Sequence, residues 1–136
     1  MSMDTAIADR IEIADLFTRF ARLLDEGRYA DAATVYTDDV EVNSPRVRVR
    51  GIDKVVDYMR QAEVEGEHTQ HTTTDLLVTL DGDRAAASAN SLVYYYRDGQ
   101  PPHLTSGLRL TATTVRTPAG WRLGEIRITL AWTRKE

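Results

Sequence analysis

A chain of 136 residues is long enough for one domain with a real core, and 42% hydrophobic with 28% charged residues is typical of a globular protein. The net charge of −4 gives no attraction to nucleic acid or to an anionic membrane surface, and the arginines are spread along the chain. Because cysteine is absent, disulfide scaffolds, thiol nucleophiles and thiolate metal sites are excluded.

The N-terminus carries acidic residues where a secretory signal would carry Lys or Arg before an apolar segment. No apolar run approaches the roughly 18–20 residues that a membrane span needs. We therefore expect a cytoplasmic protein with neither a membrane nor a nucleic-acid partner.

The first predicted element is an amphipathic helix with Asp4 as its N-cap and Gly27 as its left-handed terminator. Its apolar residues recur at spacings of three and four: Ile7, Ile11, Ile13, Phe17, Phe20, Ala21 and Leu24. Asp25 lies in the last turn beside this stripe. That is an unusual position for an acid, because the helix C-terminus already carries partial negative charge.

Two shorter helices are predicted next, within residues 28–40 and 51–63, and a strand pair interrupted at Ser44 and Pro45 lies between them. From His68 onward the pattern is that of strands, with turns at residues 81–83, 98–99 and 118–120. Helices followed by an antiparallel meander predict an α+β domain with its helices on one face of a curved sheet.

The order of these pieces resembles the SnoaL-like branch of the nuclear-transport-factor-2-like (NTF2-like) superfamily, which includes scytalone dehydratase and polyketide cyclases. The resemblance rests on "RFARLLDEGRYADAATVYTDDV", "RGIDKVVDYM", "HTTTDLLVTLDGDRAAA" and "GWRLGEIRITLAW", which together span nearly the whole chain. It implies a single domain over residues 1–136 with a cone-shaped, cystatin-like fold, three N-terminal helices and a mainly antiparallel sheet. It also implies a homodimer formed through the outer face of the sheet.

In lyases of this superfamily, an acid at the end of the first helix orients a histidine at the start of the first long strand. Carried onto this sequence, the acid matches Asp25 and the histidine matches His71. The resemblance thus implies that His71 removes a proton from the substrate, without a cofactor. A neutral imidazole is a good base near neutral pH, and a carboxylate on its other nitrogen fixes its tautomer.

Each histidine also has a simpler interpretation. His71 could be a strand-edge residue bound to a backbone carbonyl, and the Asp25 carboxylate could simply face water. His68 and His71 point to opposite faces if they share a strand, so this spacing does not favour a metal site, and we expect His68 at the surface. His103 follows two prolines and is expected in a loop.

The predicted substrate-binding residues are Phe17, Phe20, Tyr36, Asn90, Tyr94 and Arg127. The three aromatic residues would wall a cavity or else belong to the core. The Asn90 amide needs partners within a strand, and Arg127 could bind a substrate carboxylate or carbonyl, although cross-strand packing and a solvated arginine are the simpler alternatives. On the last strand, the apolar face is predicted to carry Ile126, Ile128, Leu130 and Trp132.

One residue departs from the resemblance. The bile-acid 7α-dehydratase is a further relative that shares these pieces. It has a tyrosine five residues before the helix acid, and this chain has Phe20 at that position. Another donor, such as Tyr36, Tyr94 or Arg127, would have to replace it.

The leading hypothesis is a cofactor-independent lyase or isomerase, of dehydratase or cyclase type, acting on a small, hydrophobic, oxygenated and cyclic metabolite. The alternative is a non-catalytic ligand-binding or dimerisation module of the same fold. A third hypothesis, an epoxide hydrolase, needs an acid–arginine–acid cluster that could include Asp25, Arg109 or Arg127, and Glu125.

Overall fold

The computed structural model describes residues 2–136 and contains two α-helices, one short 3₁₀ helix and six strands. The helices are α1 (Met3–Glu26), the 3₁₀ helix (Tyr29–Thr34) and α2 (Ile52–Ala62). The strands are β1 (Tyr36–Asn43), β2 (Arg48–Arg50), β3 (His68–Asp81), β4 (Arg84–Tyr96), β5 (Leu104–Thr117) and β6 (Gly120–Lys135).

All six strands form one open sheet in the order β2-β1-β6-β5-β4-β3. Only the β1–β6 pair is parallel, because β1 comes from the helical half of the chain and the other long strands follow each other as hairpins. The predicted fold class is therefore confirmed: three helical segments lie in the N-terminal half of the chain, and the sheet is mainly antiparallel.

The buried face of α1 differs from the predicted stripe at its N-terminal end. Ile7 and Ile11 are exposed, and the buried positions are Asp9, Ile13, Leu16, Phe17, Phe20 and Leu23. These positions follow the spacing of three and four residues that places side chains on one helix face. The N-cap is also corrected: the Ser2 hydroxyl, and not Asp4, accepts from the Thr5 backbone N–H at 3.1 Å.

The buried carboxylate of Asp9 explains which face of α1 turns inward. Arg116 on β5 donates to both of its oxygens at 2.9 and 2.7 Å, and the Trp121 indole N–H donates at 3.1 Å. Trp121 is fully buried, so its N–H needs an acceptor within the protein. This cluster fixes the N-terminal half of α1 against β5 and β6.

The second predicted helix is shorter than expected. It is the 3₁₀ helix, and Tyr36 is the first residue of β1 and not part of a helix. The β-branched residues Val35, Thr37, Val40 and Val42 favour a strand. β1 pairs with β6 at Tyr36 and again from Glu41 to Asn43.

Bulges in the long strands change which side chains face inward. β3 carries one at residues 75–76, where Asp75 adopts a positive φ of 57°, and β6 carries another at Ala131. Because an extra residue reverses the alternation, Trp132 lies on the outer face of the sheet, against Gly107. The prediction that Trp132 shares a face with Ile128 and Leu130 is therefore wrong.

Candidate active site

Asp25 lies at the point where α1 meets the sheet. The helix ends one residue later, and Gly27 turns the chain in the left-handed conformation with φ of 63° while its N–H bonds to the Leu23 carbonyl. α1 packs along β3, and the last helical turn brings the Asp25 carboxylate to the first residues of that strand. Its side chain is 18% exposed.

Three hydrogen bonds hold the Asp25 carboxylate. His71 Nδ1 lies 2.5 Å from Oδ1, the His71 backbone N–H donates to Oδ2 at 2.8 Å, and the Thr69 hydroxyl donates to Oδ1 at 2.9 Å. The His71 side chain is 12% exposed. The predicted contact between helix acid and strand histidine is therefore present in the structure.

These bonds determine the state of both groups. Burial alone raises the pKa of Asp25, but the hydrogen bonds from His71 and Thr69 outweigh it and hold the pKa below its ordinary value of 3.8. Because an ionised carboxylate can only accept, Nδ1 of His71 carries the proton in the neutral ring. Nε2 is then the basic nitrogen, free to act on a bound molecule.

Thr69 is a site residue that the sequence reasoning missed. It stands two positions before His71, and side chains two apart on a strand share a face. A hydroxyl two residues before a strand histidine was the only sequence signal for this residue. The position of Asp25 in the structure shows that the hydroxyl donates a hydrogen bond to the carboxylate.

A cavity of about 1140 Å³ lies beside this pair, between the end of α1, α2 with the loop that follows it, and the inner face of the sheet. Asp25, Thr69 and His71 lie in its wall together with Tyr95. Its other lining residues include an apolar set, which is Leu24, Met59, Leu104, Leu108, Ile128 and Leu130. Arg46, Arg60, Glu63, Glu67 and Lys135 place charges around it.

The three aromatic residues predicted to wall the cavity belong to the core instead. Phe17, Phe20 and Tyr36 are 2%, 5% and 3% exposed, and none of them lines the cavity. The rings of Phe20 and Tyr36 meet edge to face at 6.3 Å, and the Tyr36 hydroxyl points to the Met59 sulfur at 3.9 Å. Burial raises the pKa of Tyr36, as expected for a phenol inside an apolar core.

The polar residues predicted for the pocket lie on the outer face of the sheet. Asn90 is exposed and donates to Asp75 at 3.0 Å, Arg127 is exposed, and Tyr94 does not line the cavity. The alternation along β4 explains the error: Val93 pairs with His71 on the inner face, so Tyr94 points away from it. These three assignments are corrected.

The other two histidines bond to other acids and not to the pair, although His68 also lines the cavity. His68 Nε2 lies 2.9 Å from an oxygen of Asp98, and the ring packs on Tyr96 at 5.4 Å. His103, in the loop between β4 and β5 as predicted, contacts Glu67 through Nε2 at 2.9 Å. Across residues 2–136, no three His, Asp or Glu side chains gather as a metal site requires. In the same part of the chain, no helix has the length and apolar character needed to cross a bilayer.

The acid–arginine–acid arrangement of the third hypothesis is not assembled. Arg127 lies on the outer face, and Arg109 is the cross-strand partner of Asn90 on that same face. Neither arginine lines the cavity that contains Asp25.

Comparison with known proteins agrees with the fold. An uncharacterised protein of Mycobacterium tuberculosis is 28% identical over 124 residues, which cover 86% of this chain and 82% of that protein. The hexachlorocyclohexane dehydrochlorinase of Novosphingobium barchaimii LL02 superposes with a TM-score of 0.87 at 15% identity, covering 99% of this chain and 94% of the other. A scytalone dehydratase-like protein of Novosphingobium aromaticivorans DSM 12444 gives 0.86 at 15% identity, covering 99% and 92%.

The two solved structures establish the NTF2-like fold and nothing further, because their sequence identity to this chain is low. A family model adds the family itself, because the model described as "SnoaL-like domain" matches residues 5–127. The protein belongs to the SnoaL-like domain family.

Proposed function

We propose that the protein is a cofactor-independent lyase or isomerase that acts on a small, hydrophobic, oxygenated cyclic compound. The observation that carries this proposal is the Asp25–His71 pair in the wall of a largely apolar cavity. A carboxylate that has three hydrogen bonds and a lowered pKa, and whose partner is a histidine facing a cavity, is typical of a pair that orients a catalytic base. The dehydrochlorinase and dehydratase-like proteins of the same fold support an elimination as the reaction type.

The proposed step starts with His71 Nε2 removing a proton from a carbon next to a carbonyl. The C–H electron pair forms a new double bond while the bond to the leaving group on the neighbouring carbon breaks. A departing hydroxide takes the proton back from the imidazolium and leaves as water. Asp25 stabilises the imidazolium in between, and a general base of this kind contributes about 10²–10⁴ in rate.

The apolar lining supports the choice of substrate. Leu24, Leu108 and Ile128 offer no hydrogen bonds, so a ring with few polar groups fits these walls better than a sugar or a nucleotide does. A cavity of about 1140 Å³ has room for a fused two- or three-ring compound.

A suitable probe is 3-hydroxy-1-tetralone, a β-hydroxy ketone that loses water and then aromatises to fluorescent 1-naphthol. We expect turnover by the wild type above the buffer rate, and a loss of about 10²–10⁴-fold in kcat/KM for His71→Ala. Asp81→Ala is the control, because this exposed residue lies at the far end of β3 and outside the cavity lining. Equal turnover in His71→Ala and the wild type would refute the proposed base.

The alternative of a binding module predicts a different result from the same compounds. The cavity would then bind 1-naphthol or the tetralone, and the wild type would release the tetralone unchanged. Self-association through the outer sheet face stays a prediction; Leu77 and Trp132 are exposed there, at 68% and 48%.

A further inference from the structure

Tyr95 stands on the same cavity wall as the Asp25–His71 pair. It is the cross-strand partner of Thr69, and Val93, two residues earlier on β4, is the partner of His71. Tyr95 and His71 are therefore diagonal neighbours on one face of an antiparallel pair, where such positions are about 7–8 Å apart. A single small molecule can reach both side chains.

Two charged side chains act on the Tyr95 hydroxyl. Burial raises its pKa and the charge of Glu67 raises it further, while the charge of Arg46 acts in the opposite direction. Glu67 is itself held in place by His103 at 2.9 Å. The hydroxyl is therefore a neutral donor at physiological pH, with a cation near it.

The Tyr95 hydroxyl is free to serve a ligand. Within residues 2–136 it makes no hydrogen bond to another side chain, whereas the hydroxyl of Tyr29 donates to Glu63 and that of Tyr36 points to a sulfur. Tyr94 is excluded by the alternation of β4. Among the tyrosines of that strand, Tyr95 is the one that lines the cavity.

We propose that Tyr95 donates a hydrogen bond to the substrate oxygen that gains negative charge when His71 removes a proton from the adjacent carbon. The inference rests on the proposed function and narrows its substrate class to enolisable ketones. The C–H electron pair moves into the enolate, the proton goes to His71 Nε2, and the charge on oxygen lies against Tyr95, where the charge of Arg46 favours it and that of Glu67 opposes it. No oxidant or reductant takes part.

A compound that only loses a leaving group, with no carbonyl next to the acidic carbon, would gain nothing from Tyr95.

The first test is kinetic. With 3-hydroxy-1-tetralone, Tyr95→Phe is expected to lower kcat by about 100-fold with a small change in KM, as removal of an oxyanion donor does. Tyr94→Phe is the matched control, since it removes the same hydroxyl from the outer face of the same strand. Turnover that depends on His71 but is unchanged in Tyr95→Phe would overturn this proposal and leave the proposed function standing.

The second test needs no turnover. Calorimetric titration compares 2-naphthol with the more acidic 6-cyano-2-naphthol at a pH between the ionisation points of the two compounds. The cyano compound then carries an enolate-like naphtholate oxygen, while 2-naphthol stays neutral. Because charge-assisted hydrogen bonds are roughly twice as strong as neutral ones, we expect the wild type to prefer the cyano compound by about tenfold. Tyr95→Phe should lose that preference and Tyr94→Phe should keep it.

The two tests separate the two proposals. A preference that depends on Tyr95 in a protein without turnover would refute the lyase and retain the hydrogen-bond site. Tyr58 of α2 also lines the cavity. An equal preference in the wild type and Tyr95→Phe, or a loss of preference in Tyr58→Phe instead, would overturn the role of Tyr95.

Discussion

Replacing Asp25 by Asn tests the central pair, because the substitution keeps the shape of the side chain and changes only its charge and donors. In the wild type, the Asp25 carboxylate accepts hydrogen bonds from His71 Nδ1, from the His71 backbone N–H and from the Thr69 hydroxyl. An amide has one acceptor oxygen and one donor group, so it cannot face both His71 donors with an oxygen.

The expected result follows from the better of the two amide orientations. If the oxygen accepts the backbone N–H, the amide nitrogen faces Nδ1 and forces the ring proton to Nε2, which removes the base. The opposite orientation sets two donors against each other and costs about 1–3 kcal/mol. Losing the charge beside the imidazolium costs about 1.5–3 kcal/mol more. Together these effects predict a decrease of about 10²–10⁴-fold in kcat/KM.

Two measurements check this prediction. Turnover of 3-hydroxy-1-tetralone at pH 7 gives the rate. The control is Asp81→Asn, because Asp81 is exposed and lies at the opposite end of β3 from His71. Long-range proton–nitrogen correlation spectra give the tautomer of His71 without any substrate, and only three histidines need assignment. A variant with a rate within threefold of the wild type, or with the proton still on Nδ1, would refute the reasoning.

Two further predictions concern the scaffold that positions the pair. Asp9→Ala leaves the buried Trp121 N–H without its acceptor and should lower the free energy of unfolding by about 1–3 kcal/mol. An unfolding entropy of about 2.1 cal/mol/K per residue over 136 residues gives about 3.5 °C per kcal/mol, so Tm should fall by about 4–10 °C. Because hydrogen bonds from Arg116 hold the pKa of Asp9 below the unfolded value of 3.8, the stabilisation is complete above that pH and is lost as the pH falls through the folded value. Urea titrations should therefore show that the difference in unfolding free energy between wild type and variant becomes smaller below about pH 4. A difference that stays constant with pH would contradict the stabilising role of the ionised Asp9 carboxylate. Gly107→Ala would place a methyl group in steric overlap with the Trp132 indole, so the indole must leave the sheet, at a cost of about 1–3 kcal/mol. Tryptophan emission in a Trp121→Phe background should then shift to the red, and unchanged emission would show that the indole is not held there.

The sequence was most informative where a local pattern has one structural solution. The spacing of Ile13, Phe17 and Phe20 predicted α1, Gly27 predicted its end, and the turn residues after Asp81 and Asp98 predicted the hairpins. The Asp25–His71 contact was predictable from the resemblance, because both residue types stand where lyases of this superfamily have them. Its geometry, and the third bond from Thr69, required the packing of α1 on β3.

The remaining site residues could not be read from the chain. Period-two alternation predicted that Tyr94 and Tyr95 point to opposite faces, but it does not say which face is concave, and the wrong tyrosine was chosen. The bulge at Ala131 likewise leaves no distinct pattern in an apolar strand, so Trp132 was assigned to the wrong side.

The sequence by itself determined most of the elements and their order, and its resemblance to the superfamily pointed to Asp25 and His71 as a pair. Local propensity, turn chemistry and hydrophobic spacing act over a few residues and are written in the chain. Only the tertiary structure decided that Phe17, Phe20 and Tyr36 fill the core and that Tyr95 lines the cavity. Those outcomes depend on strand register and on the curvature of the sheet, which are set by contacts between residues far apart in the chain.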